Sequence, residues 1–367
     1  MGSRQIDPRL QKLYDEGTPV YSISRLDCMN RCMYEAYLTY VKHEKGEQNI
    51  YALLGTKIHD KLEELMNGEA TEADLLPAMQ EELADADMFG YSFPKMADGS
   101  DGIRNGWVKN MTHFCETYQA PKGKFITEEF VLYQTPKGRW IQGYLDLQKV
   151  TKGGILQIFD YKTSTAYKGE EIKEHGRQLV LYALAKEQEG HKVNSVSWIF
   201  LKYVELIFEG KKTPKSKEKT PIRKAVERKK IGTELSRHVA DEMRERGYDE
   251  LDIEVALDEL VKTNKIDHLP DEIKSLYKII PYVCTYPLTE ESRQECIDYI
   301  DETIDRWEAA TDYPPKEFTR MNKIGKSVPD VFFCTQLCGY GKKCQYLRDY
   351  LDSQGDFKSD DDDDLFG

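Results

Sequence analysis

The sequence lacks the features that would place the protein in a membrane, on a secretory route or among ATP-driven motors. No apolar run is long enough to cross a bilayer, and residues 1–5 do not form the apolar segment of a secretory signal. Neither a nucleotide-binding P-loop nor an internal repeat is present. We therefore expect a soluble, cytoplasmic protein of 367 residues that does not interact with membranes and would rely on a partner for any ATP-driven unwinding.

The sequence also lacks the excess of positive charge that nucleic-acid-binding proteins often carry, because its formal net charge is −13. Its charge is unevenly distributed, however. Residues 211–230 contain ten Lys or Arg against two Glu, which gives +8. The segment predicts a mobile basic loop that follows a phosphate backbone or, as the alternative, a solvated linker. The candidate DNA-binding residues are Lys211, Lys212, Lys215, Lys217, Lys219, Arg223 and Lys224.

Two short apolar runs carry charged residues at positions that suit metal chemistry. Residues 141–147 and 155–162 are strand-like, and a Gly-Gly pair between them predicts a hairpin turn. Asp146 and Asp160 would then meet at neighbouring strand ends. Lys162 is two residues from Asp160, so both side chains share one face of the sheet. Carboxylates bind divalent cations, and a nearby ammonium can orient water or stabilise charge on phosphate.

Each of these features also has an ordinary structural interpretation. Asp146 could be an exposed acid at a strand end, and Asp160 and Lys162 could form a same-face ion pair. A histidine on an apolar helix, such as His59, is more often a satisfied core residue than a ligand. The interpretation as a metal site gains weight only because several motifs occur together.

Four motifs occur in the order found in one nuclease family. The segments 55–59 (GTKIH), 143–146 (GYLD), 160–163 (DYKT) and 178–182 (QLVLY) are similar to the signatures of RecB-like nucleases in the PD-(D/E)xK superfamily, and a phage origin is one expectation. By this resemblance the catalytic residues are Asp146, Asp160, Lys162, Gln178 and Tyr182. The implied metal ligands are His59, Asp146, Asp160, the backbone carbonyl of Tyr161 and, on the preceding strand, Glu128.

The resemblance implies a function for the whole chain. It predicts a Mg²⁺- or Mn²⁺-dependent DNA exonuclease or end-processing nuclease, with a role in recombination, repair or replication and with single strands or DNA ends as its partner. Two alternatives stay open. One is a non-catalytic iron-sulfur module that binds DNA ends, and the other is a replication-interaction protein.

The cysteines form a second pattern. Several RecB-like nucleases, among them AddB-type subunits and CRISPR adaptation nucleases, hold a [4Fe-4S] cluster with one cysteine before the nuclease core and three after it. Cys32, Cys334, Cys338 and Cys344 reproduce this layout, although Met33 replaces the usual proline and the first C-terminal gap is one residue longer. Zinc or free thiols remain alternatives because spacing does not distinguish them, and Cys28, one helical turn away, is a rival ligand.

The resemblance also predicts the architecture, an α/β (α+β) fold. Its nuclease core is a mixed central sheet flanked by helices in the order αβββαβ, with helical elaborations and a C-terminal cysteine-cluster segment. The predicted parts are an N-terminal arm (1–20), the nuclease core (21–209) with a helical elaboration (68–120), a basic loop and helical insertion (210–283), a C-terminal helix with the cysteine segment (284–350) and a disordered acidic tail (351–367).

The end of the sequence carries a third signal. Five consecutive aspartates, Asp360–Asp364, precede the apolar residues Leu365 and Phe366. Such a segment resembles the C-terminal tips of single-stranded DNA-binding proteins, and it would dock to a replication or recombination protein or compete with DNA for a basic groove. A disordered solubilising tail is the alternative.

Overall fold

A computed structural model describes residues 6–210, 221–322 and 325–354. Within these ranges, the strands are β1 Val20–Ser22, β2 Phe125–Gln134, β3 Trp140–Val150, β4 Leu156–Lys162, β5 Val193–Glu209, β6 Pro221–Glu227, β7 Lys278–Tyr286, β8 Thr319–Met321 and β9 Ser327–Pro329. The helices are α1 Pro8–Asp15, α2 Ile23–Arg31, α3 Met33–Tyr40, α4 Ile50–Met66, α5 Leu75–Met88, α6 Gly102–Thr117, α7 Glu170–Gln188, α8 Ile231–Glu245, α9 Glu250–Thr263, α10 Asp271–Lys274, α11 Glu290–Ala309, α12 Phe332–Gln336 and α13 Gln345–Ser353.

A mixed sheet of seven strands, β1 to β7, forms the centre of the fold. Its main path is β1-β3-β4-β5-β6, with β2 also paired to β3 and β7 also paired to β5. The pairs β2–β3 and β3–β4 are antiparallel, whereas β4–β5 is parallel because α7 crosses over between them. The elements α4, β2, β3, β4, α7 and β5 occur in the predicted αβββαβ order, and the predicted fold class is confirmed.

Apolar side chains cover both faces of the sheet. One face packs against α2, α7 and α11 through residues such as Leu179 and Ile300. The other packs against α4, α5 and α6 through residues such as Ile58 and Met111. Side chains of β4 point alternately to the two faces of the sheet and so pack in both layers. Ile158 belongs to the first core and Tyr161 to the second. No helix in the described ranges combines the length and apolarity needed to cross a membrane.

The region predicted as a basic loop and helical insertion contains more order than expected. Residues 221–227 form β6, which pairs antiparallel with β5 over Tyr203–Glu209. Arg223 and Lys224, predicted as loop residues, therefore lie on a strand, where they form ion pairs with Glu205 and Glu234. Helices α8 and α9 add a third apolar core, and β7 crosses the predicted boundary at residue 283 to join the central sheet.

Two predicted features lie outside the described residues. They are the basic positions Lys211, Lys212, Lys215, Lys217 and Lys219, and the acidic run Asp360–Asp364.

A buried arginine connects the third core to the nuclease core. Arg228 donates from Nε to the carbonyl of Leu201 (2.7 Å) and from Nη1 to Thr117 Oγ1 (3.0 Å). Its guanidinium lies 3.4 Å from Nδ1 of the buried His113, whose Nε2 donates to the carbonyl of Asn264 at 2.9 Å. Burial, reinforced by the adjacent Arg228, lowers the pKa of His113 to about 4. A neutral His113 is therefore part of the contact between α6 and α9.

We expect acid to destabilise this contact. In the unfolded chain the imidazole takes up a proton as the pH falls below 6.5, whereas in the folded protein it does so only near pH 4. Protonation in this window therefore favours unfolding, by about 3 kcal/mol at pH 4. In urea titrations between pH 7 and pH 4, His113→Gln should lose less free energy of unfolding than the wild type. The exposed His191→Gln is the control, and equal losses in the His113 variant and the wild type would refute the assignment.

Candidate active site

The candidate active site lies where β3 and β4 separate. The two strands pair from Val150 and Leu156 as far as Leu147 and Phe159. Asp146 and Asp160 follow immediately beyond the last pair, and the backbone N–H of Tyr161 donates to Asp146 Oδ2 at 2.9 Å instead of to the partner strand. On the same edge of β3, β1 pairs only with residues 140–142. The sheet is therefore open on this edge of β3 at residues 143–146.

The two carboxylates are buried and close to a single ammonium. Asp160 is 1% exposed, and its Oδ2 lies 2.7 Å from Lys162 Nζ. This contact is an ion pair without hydrogen-bond geometry, which leaves Asp160 Oδ2 without a hydrogen-bond partner. Burial, together with the Asp160 charge, raises the pKa of Asp146 to about 8. Burial alone would lower the pKa of Lys162, but the Asp160 carboxylate raises it above its ordinary value. Without a cation, this raised pKa leaves Asp146 mainly protonated at pH 7, and a divalent cation would take the place of that proton.

Helix α7 holds the lysine from one side. Lys162 Nζ donates to Gln178 Oε1 at 3.1 Å, and Gln178 Nε2 donates to the Tyr182 hydroxyl at 2.8 Å. Gln178 and Tyr182 are one helical turn apart, so both side chains point to the same strand ends. Gly143 makes room for this arrangement, because a Cβ atom there would lie 2.8 Å from the Tyr182 ring. The glycine of the GYLD motif and the tyrosine of the QLVLY motif are therefore in direct contact.

Helix α4 approaches from the other side. His59 Nδ1 lies 3.3 Å from Asp146 Oδ2. Burial lowers the pKa of His59, so the imidazole is neutral at pH 7, the form in which histidine binds metals. One turn earlier, Gly55 lies close to the end of β4, because a Cβ atom there would be 3.3 Å from Thr163 Oγ1.

Glu128 lies in the strand opposite Asp146. Its neighbours Thr127 and Glu129 pair with Leu147 and Leu145, which places Glu128 across from Asp146. Its backbone is left-handed, with φ of 48°, a conformation that is strained for a glutamate within a strand. The charge of Glu128 acts on both His59 and Tyr182. The sequence did not predict this backbone conformation, because the residues around Glu128 are those of an ordinary strand.

The site offers part of a metal-binding shell. No group of three or more His, Cys, Asp or Glu side chains in the described ranges is arranged to hold a metal ion. Mg²⁺, however, is commonly held by one or two carboxylates, with water and substrate phosphate as its other ligands. Asp146 and Asp160 supply the two carboxylates of such a site.

The four predicted cluster cysteines line one small cavity. Cys32, Cys334, Cys338 and Cys344 share it with apolar residues that include Phe318 and Phe333. Extended backbone at Cys32 separates α2 from α3, so these two helices do not continue into each other. This break lets the Cys32 sulfur accept from two backbone N–H groups, those of Lys316 at 3.2 Å and Glu35 at 3.5 Å.

The remaining cysteines do not join this cavity. Cys28, the rival ligand, is buried next to it but does not line it. All eight cysteines lie in the described ranges and are free thiols.

Comparison with known proteins identifies the family. The family model of the PD-(D/E)XK nuclease superfamily matches residues 20–345. The chain belongs to the PD-(D/E)XK nuclease superfamily, whose members are typically metal-dependent nucleases.

Other comparisons add little. No curated protein matches the sequence. Among solved structures, one similar chain is titled "Crystal structure of SSO0001". It is 14% identical, the match covers 73% of this chain and 92% of that one, and the TM-score of 0.19 is too low to support a conclusion.

The contact between Gly143 and Tyr182 yields a prediction. In Gly143→Ala the new methyl group forces the Tyr182 ring to shift, which should cost about 1–3 kcal/mol of stability and displace Gln178 from Lys162. Thermal melting and cleavage assays should show both effects. Gly153→Ala in the β3–β4 turn is the matched control, because nothing lies within 4 Å of its Cβ position. Wild-type behaviour of Gly143→Ala would show that the contact is unimportant.

Proposed function

We propose that the protein is a Mg²⁺- or Mn²⁺-dependent deoxyribonuclease, an exonuclease or end-processing enzyme that hydrolyses phosphodiester bonds. The observation that carries the proposal is the buried Asp146–Asp160 pair beside Lys162 at the opening of the sheet. Two buried carboxylates with one ammonium form a site that a divalent cation would stabilise. The order of the motifs and the family membership support the same conclusion.

Each residue has a role in this proposal. Asp146, Asp160 and the Tyr161 carbonyl would hold the cation, with His59 and Glu128 as further ligands. When bound, the cation would activate water and polarise the scissile phosphate. Lys162 would position the attacking water and stabilise the charge that develops on the phosphate. Gln178 fixes the Lys162 ammonium through their 3.1 Å hydrogen bond, and Tyr182 in turn fixes Gln178.

Two substitutions test these roles. Asp160→Asn removes the charge of one carboxylate at nearly constant shape, and Lys162→Ala removes the ammonium. Each should lower the cleavage rate by about 100-fold or more. DNA binding should remain largely intact, because the phosphate contacts outside the site are unchanged. The measurement is cleavage of end-labelled single- and double-stranded DNA, linear and circular, with Mg²⁺ or Mn²⁺.

Lys152→Ala, at an exposed turn residue, is the control. Metal-dependent loss of linear but not circular DNA would establish an exonuclease. Normal cleavage by Asp160→Asn would contradict the active-site assignment. DNA binding without cleavage by the wild-type protein would favour a non-catalytic DNA-end binding module.

We further propose that the four-cysteine cavity holds a [4Fe-4S] cluster rather than zinc. One cysteine before the nuclease core and three after it reproduce the layout of the iron-sulfur nucleases that the sequence resembles. A single zinc ion requires four ligands within about 2.3 Å of one point. In a cluster the thiolates bind different iron atoms and lie further apart, as suits cysteines that line a shared cavity. The two backbone N–H donors to the Cys32 sulfur would stabilise a thiolate.

Anaerobic purification tests the cluster. Cys32→Ser and Cys338→Ser should lose bound iron and visible absorbance, and their melting temperatures should fall, because the cluster closes a loop of about 300 residues. Cys284→Ser, at a half-buried thiol outside the cavity, is the matched control. If the purified wild-type protein contains stoichiometric zinc and no iron, the cluster proposal is wrong and the cavity is a zinc site.

The biological setting belongs to the same proposal. DNA repair, recombination or replication, in a cell or during phage infection, would supply ends as substrate. The eight free thiols favour the reducing cytoplasm. Docking of the acidic tail to a replication or recombination protein stays a prediction from the sequence.

A further inference from the structure

A second interruption of the sheet lies next to the active site. On one edge of β5, the pairing with β4 ends at Phe200, opposite Lys162, and the pairing with β6 starts at Tyr203, opposite Glu227. Leu201 and Lys202 therefore lie between the end of one partner strand and the start of the next. The carbonyl of Leu201 is satisfied by the buried guanidinium of Arg228.

Two lysines form ion pairs with one carboxylate at this interruption, and the charge of that carboxylate also acts on a third lysine. Lys229 Nζ lies 3.1 Å from Glu227 Oε2, and Lys230 Nζ lies 3.9 Å from Glu227 Oε1. Lys202 is half-buried, and the charges that act on it are Glu227 and Lys229. In the described part of the chain no acid lies within ion-pairing distance of Lys202. The cluster of Lys202, Lys229 and Lys230 thus has two more positive charges than Glu227 neutralises.

Holding these ammonium groups together is unfavourable unless an anion is present. Burial, only partly opposed by Glu227, lowers the pKa of Lys202 to about 8, and repulsion from Lys229 adds to the effect. Lys229 is also fixed in place. Its backbone N–H donates to Asn110 Oδ1 at 2.9 Å, and its side chain lies against Gly106, where a Cβ atom would approach Nζ to 2.6 Å. The fold therefore positions two of the lysines instead of leaving them on mobile surface.

Lys202 lies on β5, the strand that pairs with β4 of the reaction centre. Along β5, Lys202 is two residues beyond Phe200, which pairs with Lys162. It is four residues beyond Trp198, which pairs with Asp160. At about 3.3 Å per residue of strand, it lies about 7–13 Å further along the sheet. An axial rise of about 3.4 Å per nucleotide makes this distance about two to four nucleotides.

We propose that Lys202, Lys229 and Lys230 form a subsite for a backbone phosphate of the nucleic-acid substrate, two to four nucleotides from the scissile bond. Lysine ammonium groups contact phosphate as point charges without reading sequence. A phosphate at this site would compensate the excess charge of the cluster and orient the strand towards Asp160 and Lys162. The inference rests on the proposed nuclease function and adds a binding subsite to it.

The first test is the salt dependence of binding in EDTA, where no cleavage occurs. Fluorescence anisotropy with a labelled oligonucleotide gives the slope of log affinity against log salt. The triple variant Lys202→Gln, Lys229→Gln, Lys230→Gln should have a slope smaller by about 0.7–0.9, because it loses its contact with one phosphate. Lys262→Gln is the control, since Lys262 is a surface lysine with a comparable Glu partner on α9. An unchanged slope in the triple variant would overturn the inference.

The second test locates the phosphate. Substrates with one neutral methylphosphonate linkage at successive positions should show a raised KM at one position, two to four nucleotides from the cut. In Lys202→Gln the same linkage should cause a smaller rise, because only Lys229 and Lys230 remain to contact the phosphate, and in the triple variant it should cause none. A rise of undiminished size in Lys202→Gln would contradict the assignment of Lys202. The more exposed Lys230→Gln gives an independent measure if the Lys202 variant does not fold.

The two proposals fail in different ways. Absence of cleavage by the wild type, with the predicted change in salt slope, would reject the nuclease function and retain the phosphate site. Cleavage by the wild type with an unchanged slope would reject the subsite alone.

Discussion

The hydrogen bond from the Tyr161 backbone N–H to Asp146 Oδ2 is the interaction on which the site depends. Where β3 and β4 separate, this amide has no partner on β3, and the carboxylate of Asp146 satisfies it at 2.9 Å. One side chain therefore both terminates the strand pairing and brings Asp146 beside Asp160. The separation of the strands is the structural origin of the open edge in which the two carboxylates meet.

This arrangement buries negative charge, and side chains of the surrounding strands and helices compensate for it. Lys162 neutralises Asp160 from the same strand face, and the Gln178–Tyr182 pair of α7 holds its ammonium. His59 of α4 remains neutral beside Asp146 because burial lowers its pKa. Helices from both faces of the sheet thus converge on one opening. Because burial beside Asp160 disfavours a second negative charge at Asp146, a divalent cation would stabilise the ionised form of both carboxylates in the proposed enzyme.

The second opening of the sheet, at Lys202, has the opposite charge. It lies between β4 and β6 on the same edge of β5, so the acidic and basic regions occupy neighbouring positions along the sheet. Arg228 satisfies the carbonyl of Leu201 at this opening and connects it to α6 and α9. The helical insertion is in this way attached to the nuclease core through contacts next to the proposed phosphate subsite. A proposed cysteine cluster at the other end of the chain would tie α3 to the C-terminal segment.

The sequence by itself determined the features that depend on local pattern. Apolar alternation and the Gly-Gly turn predicted β3 and β4, and the spacing of Asp160 and Lys162 placed them on one face, because side chains in a strand alternate with a period of two. The order of the motifs predicted the family and the αβββαβ core. Tertiary structure decided what depends on contacts between distant segments. Three features depend on contacts with residues elsewhere in the sequence: the left-handed backbone of Glu128, the break at Cys32 and the burial of Arg228. The run of basic residues 211–230 appeared uniform in sequence, yet packing divided its described part into an exposed strand, one buried arginine and a pair of lysines beside Lys202. Local composition carries no information about which of these lysines and arginines the sheet and helices will enclose.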